Sequence, residues 1–163
     1  MQLESMYQEI ILDHYRRPHH KGLRDVYDTE VHHVNPTCGD EVTLRVRLAD
    51  PDQGEKAVIS DVSYESQGCS ISQASASVLT DLVIGKTVHE AIAIQEEFLR
   101  LMQSKGEGVG DEDLLEDAVA FAGVSKFPAR VKCALLSWMA WKDATTQTLA
   151  AAEAATTAPT DGK

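Results

Sequence analysis

The feature that most constrains this chain is a single stretch of strict two-residue alternation. Val42, Leu44, Val46 and Leu48 are apolar, with Thr43, Arg45 and Arg47 between them. Successive strand side chains point to opposite faces, so this is a strand with one buried and one wet face. Asp50, Pro51, Asp52, Gln53 and Gly54 form a turn, and Ala57 to Gln67 resumes as a second strand. Val58, Val62 and Tyr64 are assigned to its inner face. The short connection makes the pair an antiparallel hairpin. Residues 28–35 read as a third, weaker strand.

Everything else has helical spacing. Leu3, Met6, Tyr7, Ile10, Ile11 and His14 define a helix over residues 3–16, ended by Pro18 and Gly22. Ser70 and Gln73 have capping-box spacing ahead of Ile71, Ala74, Val78 and Leu82; the small residues from Ala74 to Ser77 suit close packing against the sheet. Thr87 and Glu90 form another capping box, before Val88, Ala91, Ile92, Leu99 and Met102. Asp111 caps a helix carrying Leu114, Leu115, Ala118 and Ala122. Pro128 opens the last helix, with Val131, Leu135 and Trp138 inside. Strands first and helices afterwards define an α+β fold, a small antiparallel sheet of about three strands with helices packed on it. Residues 1–143 form the domain. Residues 144–163, rich in Ala and Thr and lacking an apolar stripe, read as a disordered tail.

Charge and cysteine usage narrow the function. The chain has 163 residues, 15 Lys and Arg against 26 Asp and Glu, and a net charge of −11. That argues against binding nucleic acid or an anionic membrane, both of which need clustered cations. No apolar run is long enough to span a bilayer, and the first residues carry no secretion signal, so a cytoplasmic location is expected. Three cysteines in a reducing compartment are a poor disulfide framework. His19, His20, His32 and His33 lack a matching ligand spacing and read as solvated loop residues.

A cysteine taken singly reads first as a small buried side chain. Cys38 and Asp40 flank Gly39 in a turn just before the first strong strand. Cys69 follows Gly68 at a strand-to-helix corner, where free N–H groups favour an anionic sulfur. Cys133 lies in the first turns of the last helix, with Arg130 and Lys132 nearby. Jointly they are more informative: three sulfurs and a carboxylate make four ligands, the number zinc prefers, and thiolates suit zinc or iron–sulfur clusters rather than magnesium or calcium. No Cys-x-x-Cys occurs, so this is not a zinc-finger pattern.

Four stretches carry a family resemblance: Tyr7 to Tyr15 with Pro18 and Gly22; Asn35-Pro36-Thr37-Cys38-Gly39-Asp40; Gly68-Cys69-Ser70-Ile71-Ser72; and Arg130-Val131-Lys132-Cys133. Over residues 3–143 the chain resembles the U-type (IscU/NifU-N-like) iron–sulfur cluster assembly proteins, in particular their SufU branch. Scaffold-type members carry a histidine directly before the last cysteine and a Leu-Pro-Pro-Val-Lys-like chaperone segment. Here Lys132 holds the histidine position and the segment reads Phe127 to Lys132. The 63 residues between Cys69 and Cys133 also exceed the scaffold-type spacing, with the surplus placed around Gly106 to Glu116.

The resemblance implies that Cys38, Asp40, Cys69 and Cys133 gather at one exposed end and hold Zn2+. It implies a zinc-dependent sulfurtransferase that accepts persulfide sulfur from a SufS-type cysteine desulfurase and serves a SufBCD-type cluster scaffold. Cys38 would be the acceptor, a histidine of the desulfurase taking its place on the metal. Arg130 matches a position that engages the desulfurase. Two other readings remain: a scaffold carrying an iron–sulfur cluster on the same thiolates, and a structural zinc module.

Overall fold

The computed structural model describes residues 2–157, and the side chains from Glu4 to Ala155. The side chain of Leu3 in the first periodic stretch and residues 158–163 of the expected tail therefore lie outside what is described.

Three strands, β1 (Thr29–Asn35), β2 (Asp40–Ala49) and β3 (Val58–Gln67), form one antiparallel sheet in the order β1-β2-β3. The alternation in β2 sets its inner face: Val42, Leu44, Val46 and Leu48 are buried. Asp40 shares their parity and points the same way, fully buried. It is therefore the first residue of the strand, paired with Asn35, and not a loop residue as the sequence suggested. In β3 the inner set is Ile59, Val62 and Tyr64, while Val58 is 39% exposed. A bulge explains the change of phase. Arg47 pairs with Asp61 and Leu48 with Ile59, which leaves Ser60 as the extra residue and flips the strand beyond it. The free edge of β3 is partly covered by the chain leaving α1, where the Gly22 N–H donates to the Tyr64 carbonyl at 2.7 Å.

Five helices follow or precede the strands among the described residues, with α5 and α2 packed on the sheet: α1 (Gln2–Arg16), α2 (Ser70–Val83), α3 (Val88–Met102), α4 (Glu112–Leu115) and α5 (Pro128–Thr157). The capping box of Thr87 and Glu90 forms at α3. The one expected at Ser70 does not, because Cys69 is the N-cap of α2 and makes no side-chain cap. The small residues of α2 serve chiefly contacts with α1 and α5. Ser75 donates to the Ala134 carbonyl of α5 at 2.6 Å and accepts from the Trp138 indole at 2.8 Å. Trp138 stacks on Phe98 of α3, with ring centroids 4.2 Å apart.

Asp111 caps α4 as expected, but the helix lasts four residues. Glu116, at φ 46°, breaks it, and tight 3₁₀ turns continue to Lys126. The consecutive residues Ala118 to Phe121 are all buried there. A helix with one inner face could not bury four residues in a row.

The largest departure from expectation is α5, which runs unbroken to Thr157, so residues 144–157 are helix and not a disordered tail. Ala144, Thr145 and Thr148 are buried, and the Thr148 hydroxyl lies 2.7 Å from that of Thr29 in β1. The helix lies between the sheet on one side and α2 and α3 on the other. It therefore needs small or apolar residues on more than one face, and that arrangement erases the one-sided stripe that marks a surface helix. No described helix is long and apolar enough to cross a membrane. His32 and His33 belong to β1, and His33 bonds Asp143 of α5 at 2.8 Å, so neither is a loop residue.

Candidate metal centre

Two chain reversals and one helix deliver the site. Between β1 and β2 the chain turns through Pro36 to Gly39, held by Cys38 and Gly39 N–H bonds to the Asn35 carbonyl at 3.3 and 2.9 Å. Gly39 has φ +73°, and Cys38 is left exposed on the turn. Between β3 and α2, Gly68 places Cys69 at the helix start. From above, α5 brings Cys133 down onto the inner face of the sheet, where it is buried.

The donor atoms converge. Cys133 Sγ is 3.3 Å from Cys38 Sγ, and one ligand atom each of Cys38, Asp40 and Cys133 lie within 4.8 Å of one another. Cys69 Sγ is 3.8 Å from Asp40 Oδ2, at the margin of this group. The Cys69 N–H donates to Asp40 Oδ1 at 3.0 Å, which ties the corner of α2 to the start of β2. Gly68 makes that approach possible. A Cβ there would come 2.1 Å from Asp40 Oδ1, and its φ of +145° disfavours any other residue.

Two neighbours complete the surroundings. Asn35 is buried beside Asp40 and donates from Nδ2 to Cys133 Sγ at a long 3.9 Å. Asn35 belongs to the Asn-Pro-Thr-Cys motif with no role legible there; its parity with Val31 in β1 was the available signal. Arg130 lies one turn before Cys133 and its guanidinium sits 5.0 Å over the Phe127 ring. It lines an open groove of about 500 Å³ with Tyr7, Ile11 and Ile71, and does not join the donor cluster.

Electrostatics favour a cation among these groups. Burial, then the hydrogen bonds with Asp40, Cys38 and Cys69, push the Cys133 thiol well above the ordinary thiol range. Thiolates and a carboxylate this close repel one another unless a positive charge lies between them. The donors, sulfur with one hard oxygen, fit zinc or an iron–sulfur cluster and not magnesium or calcium.

Comparison with known proteins places the chain. It belongs to the family of NifU-like N-terminal domains, which matches residues 6–134. Among its relatives, the zinc-dependent sulfurtransferase SufU of Bacillus subtilis (strain 168) is 42% identical over 139 residues, 85% of this chain and 88% of that one. The iron–sulfur cluster assembly scaffold protein IscU of Streptococcus pyogenes serotype M1 is 41% identical over 142 residues, 87% of this chain and 84% of that one. A crystal structure from Fervidobacterium islandicum AW-1, of a protein proposed by its name to be an iron–sulfur cluster assembly scaffold for the SUF system, superposes with a TM-score of 0.69. It is 34% identical and covers 84% of this chain and 94% of that one.

Proposed function

We propose that this chain serves iron–sulfur cluster assembly as a zinc-dependent sulfur acceptor, taking persulfide sulfur from a cysteine desulfurase. The observation that carries the reading is the convergence of Cys38, Cys69 and Cys133 on the buried carboxylate of Asp40, with Cys38 and Cys69 exposed and Cys133 buried. These four residues would hold Zn2+, which supplies positive charge that keeps the sulfurs as thiolates near neutral pH.

The chemistry asked of the chain is thiol–disulfide exchange. The Cys38 thiolate attacks the outer sulfur of the desulfurase persulfide. A new sulfur–sulfur bond forms on Cys38 as the old one breaks, and the desulfurase cysteine leaves as a thiolate with the bonding pair. No electrons are gained or lost overall. Cys38 is suited to this because it is exposed on a turn, whereas Cys133 is buried in a helix and Cys69, though also exposed, is held at the start of α2 by its N–H bond to Asp40. Arg130, beside the open groove and three residues before Cys133, is the residue assigned to partner engagement, by a carboxylate contact or by bonding the site. The partner is a SufS-type desulfurase, the downstream recipient a SufBCD-type scaffold, and the compartment the cytoplasm.

The near-equal identity to an IscU scaffold favours a second reading, in which the same residues carry an iron–sulfur cluster. Lys132, where scaffold-type members have histidine, supports the first. Desulfurase turnover with and without this protein, measured beside its metal content, separates them. Colourless protein with one zinc at the cysteine centre that accelerates the desulfurase supports the acceptor. Brown protein that assembles a cluster and leaves no persulfide on any cysteine supports the scaffold. Such a zinc without acceleration supports a structural module.

A further inference from the structure

A second group of ligand-type side chains lies well away from the cysteines. His14, in the last turn of α1, is only 3% exposed. Its Nε2 is 2.9 Å from Asp117 Oδ2 and its Nδ1 is 2.7 Å from Ser77 Oγ. His19, just past Pro18, has Nδ1 2.5 Å from Asp81 Oδ2 of α2. The two imidazole rings lie 4.7 Å apart, inclined at 51°, and one ligand atom each of His14, His19 and Asp81 lie within 4.8 Å of one another. Asp81 follows Cys69 by twelve residues, about 18 Å along α2, so no thiol belongs to this group.

Two features go beyond a hydrogen-bonded latch. The contact with Asp117 puts the proton of His14 on Nε2, the carboxylate–histidine arrangement that orients metal-bound imidazoles, so Nδ1 is the acceptor of the Ser77 hydroxyl, a bond that a metal ion on Nδ1 would replace. The second is the Tyr64 hydroxyl, which is buried and makes no well-formed hydrogen bond among the described residues. It lies beside Ser77 and within the electrostatic reach of Asp81, and burial pushes the phenol above its ordinary range. An orphaned buried hydroxyl marks a place where a water or a metal-bound water completes the bonding.

We propose that His14, His19 and Asp81 form a second metal site, independent of the cysteine centre, for a divalent transition-metal ion of the zinc class, with Asp117 positioning His14. Two imidazoles and one carboxylate are the three-ligand set of zinc sites that keep an open position. Nitrogen donors of this kind select zinc, nickel or copper over magnesium or calcium.

The test is calorimetric titration of zinc into protein already carrying one zinc per chain, for wild type, His19→Ala and Asp81→Asn. Both substituted residues are partly exposed, and melting curves of the zinc-loaded variants check that the fold is retained. Wild type should take up one further zinc, and each variant should bind it at least about tenfold more weakly. Cobalt added in place of that second zinc should give weak ligand-field bands without thiolate-to-cobalt charge transfer. No further uptake by wild type overturns the proposal, as does uptake unchanged in both variants or a second cobalt with thiolate character. None of these outcomes bears on whether Cys38 accepts sulfur.

Discussion

The backbone N–H of Cys69 donates to the carboxylate of Asp40 at 3.0 Å, across 29 residues of sequence. This bond makes the start of α2 and the start of β2 one unit. It also gives Asp40 two tasks, closing a strand-to-helix corner and facing the sulfurs.

The first prediction separates those tasks. Asp40→Asn keeps an oxygen for the Cys69 N–H and removes the charge. Its melting temperature without metal should stay close to wild type, while zinc affinity falls at least about tenfold. Asp40→Ala should also destabilise the metal-free fold, by about 1–3 kcal/mol, because the Cys69 N–H loses its acceptor. Zinc competition with a chromophoric chelator and thermal melting are the measurements. Wild-type affinity in Asp40→Asn would show that the carboxylate is not a ligand.

Gly68→Ala should damage the same corner from the other side. The added Cβ meets Asp40 Oδ1 at 2.1 Å, and φ +145° is strained for alanine. The expected cost is about 1–3 kcal/mol in unfolding free energy, with weaker zinc binding. Gly39→Ala is the control. Its positive φ also strains alanine, but no atom lies within 4 Å, so it should be the milder change. Denaturant melts of the two variants that rank in the opposite order would contradict this account.

Sulfur should be trapped on Cys38. After incubation with a desulfurase and cysteine, persulfide labelling and peptide mass spectrometry should find the extra sulfur mainly on the Cys38 peptide. Arg130→Ala should lower that labelling several-fold with zinc content unchanged, since Arg130 stands outside the donor cluster. Label chiefly on Cys69 or Cys133 would move the acceptor role without removing the sulfurtransferase reading.

Ending the chain at Asp143 tests whether the last helical turns matter. The shortened chain loses Ala144, Thr145 and Thr148 from buried positions and the Thr29–Thr148 contact. A loss of about 2–4 kcal/mol and a lower melting temperature are expected. An unchanged melt would restore the disordered-tail reading.

Asp143 also links stability to pH. The His33 hydrogen bond, then that of Gln147, holds its carboxyl below the unfolded value of 3.8. A depressed carboxylate pKa adds stability above the unfolded pKa, and that gain disappears as pH falls through the folded one. Asp143→Asn should therefore melt slightly below wild type at neutral pH, with the gap closing as pH falls below about 4. Because Asp143 is partly exposed, the gap should also narrow in high salt. A gap that persists at pH 2 would rule out the carboxylate as its source.

Local pattern determined much of this molecule. Alternation in Val42 to Leu48 set the central strand and its inner face, Thr87 and Glu90 set the start of α3, and the cysteines were legible as residues at or near element ends. Tertiary structure decided the rest. Asp40 reads locally as part of a Pro/Gly turn, yet its pairing with Asn35 makes it a rigid inward strand residue. Val58 changed face because a bulge at Ser60 depends on the partner strand. Residues 144–157 looked structureless because a helix packed on two sides needs no single apolar stripe. The Cys133–Cys38 contact spans 95 residues and the His14–Asp117 contact 103. Periodicity reports which way a side chain faces within its own element; which groups it meets there depends on how separate elements pack to bury their apolar faces together.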